Sequence, residues 1–356
     1  MNKTTLAAIG AVTTAGVAAG SAAAVAGAKK GWTWLQENAR ETIILPVDGQ
    51  PYANSHYYKE GDYNVHYQID MPKPGIPVAG KMFMIHGFAC NSTFYDEMVE
   101  ILTNKGFICV RPDVPNCGFS TRETKEVAPL PREQLLIHVL ETVDNSGVVP
   151  AGKWILMGHS MGGGISMNLA LDYKEKFSCV LLYAPMAAVN APNFVKNIVT
   201  LDPMCNLMDK IFGPFCSWDP VVKAVIMLMT VDVRYSALYD CKKFADGLTV
   251  PKTGTAMCYM MARARPTLHE DMAKVDLPIK LFWGQMDLFN MPSVVKKFQA
   301  ALQNPDLAAK IAAASFGAEI VPGTAGKETL AAINRVKNQL AITTRLIGWL
   351  IKSVVV

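Results

Sequence analysis

The chain has 356 residues, 51% of them apolar and 18% charged, with a formal charge of +4 at neutral pH. That composition excludes an intrinsically disordered, collagen-like or pure coiled-coil chain, and the length permits one large core with a modest accessory domain. No run of Lys or Arg exceeds two residues, so nucleic acid, whose phosphates need a concentrated basic footprint, is not expected as a partner.

Residues 4–28 carry no charge and lie between Lys3 and Lys29. The stretch is long enough to cross a bilayer as a helix, although Ala, Gly and Thr dominate it. Lys29, Lys30, Trp32 and Trp34 follow, a flank that suits a membrane interface. Residues 1–44 are therefore read as an N-terminal membrane anchor or signal segment with its linker. A retained anchor with its positive flank of Lys29, Lys30 and Arg40 places the main domain on the cytoplasmic side. The alternatives are cleavage after Ala26-Gly27-Ala28, which gives a secreted protein, and an Ala-rich tail or soluble helix.

Further along, residues 63–70 alternate like a half-buried strand. Residues 81–85 (KMFMI), 107–111 (FICVR), 154–157 (WILM), 179–183 (CVLLY) and 279–283 (IKLFW) are short apolar runs bounded by Gly, Pro or Asp. Such runs read as strands covered on both faces. Helical patterns fall between them at about 92–105, 131–145 and 161–174, so the alternation implies βαβ units and a parallel sheet. Residues 187–270 break the rhythm. They are rich in Met, with helical stretches at 223–229 and 255–264, and read as a helical cap inserted between two strands. The core then comprises 45–186 and 271–356, closing with a helix at 292–303, a strand at 319–321 and a helix at 327–352.

Eight cysteines are scattered without any C-x-x-C pair, which argues against a zinc ribbon or a thioredoxin-like redox pair and for buried reduced thiols. Neither a metal nor a cofactor is expected.

Three segments carry chemistry. Gly158-His159-Ser160-Met161-Gly162 lies directly between a strand and a helix. In that setting a G-x-S-x-G holds the serine on a sharp turn with its Oγ above the sheet. His86-Gly87-Phe88 ends the strand 81–85, and its turn aims a backbone N–H at the same pocket. Phe88 and Met161 would then form a two-donor oxyanion hole. Gly284-Gln285-Met286-Asp287 follows the strand 279–283, at the strand ends where catalytic groups of parallel sheets collect. Asp287 is placed there to orient a base in the order Ser, Asp, His.

With IHGF at 85–88, DVPNCGFS at 113–120, GHSMGG at 158–163 and GQMD at 284–287, the chain resembles the α/β-hydrolase-fold serine hydrolases. Within them it is most similar to the monoacylglycerol-lipase and lysophospholipase-like group, over residues 45–352. The resemblance implies a mostly parallel sheet flanked by helices, with a helical cap over an acyl-accepting pocket. It also implies Ser160 as nucleophile, Asp287 as triad acid, and Phe88 and Met161 as oxyanion donors. The partner is then a small-molecule acyl ester or lipid; the oligomeric state stays open.

One position departs from the pattern. The family's general base is a histidine after the last strand, in a context like Pro322-Gly323 here, and Lys327 stands in its place. The six histidines are 56, 66, 86, 138, 159 and 269, none beyond Asp287. A serine hydroxyl needs a base to take its proton. Lys327 with a lowered pKa is one candidate and His269 reaching in from the cap is another. A further alternative is a non-catalytic or weakly active binding protein on the same fold.

Overall fold

A computed structural model of the chain describes residues 50–282, apart from 128, 130, 187–191, 217, 231, 232, 268 and 273, together with positions 29, 30, 33 and 37. The chain divides into two units, residues 1–41 and 42–356. In the first, Thr33 Oγ1 donates to the Lys29 carbonyl at 3.0 Å, one helical turn back. Among the described residues no helix is long and apolar enough to cross a membrane; the uncharged stretch 4–28 lies outside them. So do the expected elements at 292–303, 319–321 and 327–352.

In the second unit the strands are β1 (Ser55–Glu60), β2 (Tyr63–Asp70), β3 (Gly80–Ile85), β4 (Phe107–Pro112), β5 (Trp154–His159), β6 (Phe177–Tyr183) and β7 (Ile279–Phe282). They form one sheet in the order β1-β2-β4-β3-β5-β6-β7. From β4 onwards every neighbouring pair is parallel. The other two pairs, β1 with β2 and β2 with β4, are antiparallel. The sheet is thus mostly parallel, as the resemblance implies, with an antiparallel edge at β1 and β2. Only Gly61 and Asp62 separate Glu60 from its partner Tyr63, and a two-residue connection joins antiparallel strands alone.

Along β3 to β6 successive side chains alternate between two cores. Phe83, Ile85, Ile108, Val110, Trp154, Leu156, Val180 and Leu182 point to one face. Met82, Met84, Phe107, Cys109, Ile155, Met157, Cys179 and Leu181 point to the other. The first face is covered by Leu136, Leu140 and Val143 of α2 (Arg132–Asn145) and by Met167 and Leu169 of α3 (Met161–Asp172). The second is covered by Val99 and Leu102 of α1 (Asp96–Thr103). Strands buried on both sides must be apolar along their middles, which is why each reads as a continuous run. Each large side chain so buried stabilises the fold by roughly 1.5–3 kcal/mol.

Between β6 and β7 lie α4 (Asn193–Val199), α5 (Asp202–Cys216), α6 (Asp219–Thr230), α7 (Val233–Leu238), α8 (Cys241–Asp246), α9 (Thr253–Ala262) and the short α10 (His269–Met272). Cys205 of α5 packs on Cys258 and Tyr259 of α9. Val222 and Ile226 of α6 pack on Phe244 of α8 and on Cys90 in the loop after β3.

Buried Arg122 ties these helices to the loop that follows β4. Its guanidinium donates to the carbonyls of Cys117 (3.0 Å), Gly118 (2.6 Å), Ser120 (2.6 Å) and Gly247 (2.7 Å), and its Nε to Thr253 Oγ1 (3.1 Å). All eight cysteines are free, and all but the half-buried Cys216 are buried.

Candidate active site

β5 runs straight into the turn that carries Ser160. Its backbone sits at φ +50°, ψ −117°, a conformation that β-carbon sterics disfavour, and α3 begins at the next residue. Non-glycine residues held there cost about 1–3 kcal/mol and persist where neighbours over-determine them. Here the neighbours are hydrogen bonds: Ser160 N–H donates to Tyr183 O of β6 at 3.0 Å. Its carbonyl accepts from Gly163 N (2.9 Å) and Met186 N (2.8 Å). Gly162 makes the turn possible, since a β-carbon there would stand 2.2 Å from Ile85 O and 2.4 Å from His86 O. The backbones of the β3 and β5 ends therefore meet directly.

That meeting brings the second motif to the first. A β-carbon on Gly87 would lie 3.3 Å from Ser160 Cβ. The loop is held by His86, which is fully buried: Val114 N–H donates to its Nε2 at 2.9 Å, so the proton sits on Nδ1, which donates to Gly87 O at 2.8 Å. Burial pulls the His86 pKa down, more than Asp113 and the Gly87 bond raise it. With both nitrogens engaged, His86 is a bracket for the loop rather than a proton carrier.

His159 lies beneath the turn. Its ring stacks on Phe94 with centroids 4.5 Å apart and tilts against Tyr183 at 5.5 Å. Burial, with a smaller push from His86, drives its pKa to about 3, and Nδ1 has no hydrogen-bond partner. The imidazole is neutral at pH 7.

Behind the loop is a buried polar chain. Asp113, at the end of β4, accepts Ser92 N on Oδ1 (2.6 Å) and Phe119 N on Oδ2 (2.8 Å). Oδ2 also meets His66 Nδ1 at 2.8 Å, and His66 Nε2 pairs with Ser55 Oγ at 2.7 Å. This serine, histidine and aspartate are each almost or wholly excluded from solvent, so the chain braces the 113–120 turn and is closed to substrate.

Phe88 and Met161 both line a cavity of about 180 Å³, with Met186, Met260 and Met261 completing its apolar wall. Arg132, Glu133 and Arg265 form its polar side. Half-buried Ser160 stands at the position between these two wall residues and is not itself part of the lining. The turn thus brings Ser160 and the N-terminus of α3, the positive end of a helix dipole, next to Met161 in the wall of an apolar hollow. Asp287 and Lys327 lie outside the described residues, and so does the His269 side chain. Among the described residues no group of three or more His, Cys, Asp and Glu could hold a metal ion.

Arg132, Glu133, Met186 and Arg265 were not expected at the site. A charged pair opening an amphipathic helix reads in sequence as a solvated turn, and nothing local distinguishes it.

A family model described as serine aminopeptidase, S33, matches residues 77–316. The chain is 25% identical over 248 residues to a protein named uncharacterized hydrolase YugF from Bacillus subtilis, spanning 68% of this chain and 83% of that one. It is 22% identical over 263 residues to monoacylglycerol lipase ABHD6 of Homo sapiens, spanning 72% and 71%. Among solved structures, a hydrolase from Pseudomonas aeruginosa superimposes with a TM-score of 0.52 at 16% identity, over 70% of this chain and 87% of that one.

Proposed function

We propose a function for this chain on the premise that it belongs to the serine aminopeptidase S33 family of hydrolases and carries the α/β-hydrolase fold. It is a serine hydrolase of carboxylic esters with apolar, lipid-like acyl groups, such as monoacylglycerols or lysophospholipids. The observation that carries the reading is Ser160 at φ +50° between Met161 and the Gly87 turn, at the edge of a methionine-lined cavity. A relative named as a monoacylglycerol lipase supports the acyl-ester class.

In this reading Ser160 Oγ attacks the ester carbonyl and passes its proton to a base. The Phe88 and Met161 amides hold the oxyanion, and the alcohol leaves with the proton, giving an acyl-serine ester. Water then attacks that ester, and the acid and free Ser160 are regenerated. Asp287 orients the base, and Lys327 occupies the base's position. Residues 1–44 attach the enzyme to a membrane with its hydrolase domain on the cytoplasmic side.

The test is labelling with a fluorophosphonate probe beside a Ser160→Ala control, together with a panel of neutral and phosphate-bearing acyl esters. Labelling that depends on Ser160, with ester turnover, is expected. Absence of both sinks the reading. The second reading, a binding protein on the same fold, is favoured by the lack of any histidine beyond Asp287, and it predicts ligand binding without labelling.

A further inference from the structure

Arg132 opens α2 and exposes only 6% of its surface, yet it lines the cavity. Its Nη2 donates to Met260 O at 3.1 Å, and its buried Nε has no hydrogen-bond partner. The charges of Glu123 and Glu133 both act on Arg132, and Glu133 lines the same cavity, but neither pairs with it directly: Glu123 pairs with Arg263 and Glu133 accepts from the Asn168 amide at 2.9 Å. Arg265, the other cation of the lining, pairs with Asp172. No ion pair to Arg132 exists among the described residues. A buried guanidinium with one carbonyl acceptor and no paired carboxylate is under-compensated, since hydrogen bonds to a charged group are worth more than neutral ones. An anion entering the cavity would add the opposite charge that the guanidinium lacks.

We propose that this cavity binds an anionic amphiphile, an apolar chain bearing a carboxylate or phosphate head, with Arg132 holding the head and the methionines the chain. Unbranched thioether side chains adapt to chains of varied shape, and arginine's planar fork matches both oxyanions. A cavity of about 180 Å³ slightly exceeds the roughly 150 Å³ that encloses a benzene ring, so it takes a segment of about six carbons. The inference rests on the ester-hydrolase reading for its physiological consequence: substrates carrying a negative charge away from the scissile bond are preferred over neutral monoacylglycerols. Binding itself requires no catalysis.

The experiment is isothermal titration calorimetry on the full-length Ser160→Ala protein with octanoate, octyl phosphate and 1-octanol. Inactivity of the enzyme therefore leaves the result readable. Each anion is expected to bind about tenfold more tightly than octanol, and the tighter anion identifies the head as carboxylate or phosphate. Adding Arg132→Met should lower anion affinity about tenfold and leave octanol unchanged, and Arg132→Lys should retain part of the preference. Equal affinity for octanol and both anions overturns the proposal, as does an anion preference that survives Arg132→Met. If Arg132→Met does not fold, the anion-to-octanol ratio and its reduction in Arg132→Lys decide the matter.

Discussion

Asp113 Oδ2 and His66 Nδ1 stand 2.8 Å apart with neither side chain exposed to solvent. The contact joins the end of β4 to the middle of β2. Burial pushes the Asp113 carboxyl up; the His66 interaction and hydrogen bond, with the Phe119 N–H, overcome it and hold the pKa at about 2. An unfolded aspartate titrates near 3.9, so the folded protein holds fewer protons between those values. The contribution, about 2–3 kcal/mol, is complete above about pH 4 and is lost as pH falls toward 2. Asp113→Ala leaves His66 without its partner and should destabilise the protein by about 3–5 kcal/mol. Urea denaturation between pH 2 and 7 checks both statements: the variant should lose stability throughout and show a flatter acid limb.

His159 titrates in the opposite chemical sense with the same acid consequence. Its folded pKa of about 3 lies below the value near 6.5 of an unfolded histidine. The unfolded chain therefore binds an extra proton between these values, and stability falls as pH drops from about 6.5 to about 3. His159→Phe keeps a ring against Phe94 and removes the proton site. Its stability curve should be flatter over that window, by an amount on the order of a few kcal/mol. Denaturant melts at pH 4, 5 and 7 measure it.

Gly162 allows the ends of β3 and β5 to touch. In Gly162→Ala the new methyl meets Ile85 O at 2.2 Å, so the Ser160 turn must move. A loss of about 1–3 kcal/mol is expected, together with loss of fluorophosphonate labelling in protein that is still folded by circular dichroism.

Arg122 spends its donors on four carbonyls and one hydroxyl, joining the loop after β4 to the inserted helices. Arg122→Met strands those buried acceptors. Hydrogen exchange at residues 241–262 should accelerate more than exchange in β3 to β5, because the lost bonds to Gly247 and Thr253 anchor the inserted helices. Uniform acceleration over both regions would contradict this anchoring role.

Lys327 occupies the base's position in the proposed mechanism. General-base contributions are typically about 10²–10⁴-fold in rate, so Lys327→Ala should reduce ester hydrolysis to background. Lys327→His should raise it near neutral pH, where imidazole is better poised. A Lys327→Ala variant with full activity would remove Lys327 from the mechanism. Rates with a chromogenic ester across pH 6–10 provide the comparison.

Much of this protein follows from residue order alone. The runs at 81–85, 107–111 and 154–157 are legible as strands because a strand covered on both faces is apolar along its middle, with charges only at the ends, where Lys81 and Arg111 find carboxylate partners. Ser160 was legible because a sharp strand-to-helix turn needs small residues at 158 and 162. Strand β1 was not read, since its outward side chains leave no apolar run.

Tertiary structure decided what depends on distant partners. The 2.8 Å pairing of Asp113 with His66 spans 47 positions in sequence. Arg132 reaches Met260 across 128. In sequence Arg132 is a charge at a helix start, indistinguishable from one in water. It leaves solvent only where α9 packs against the start of α2 and Met260 O accepts its hydrogen bond, and a local pattern carries no record of which charges such packing buries.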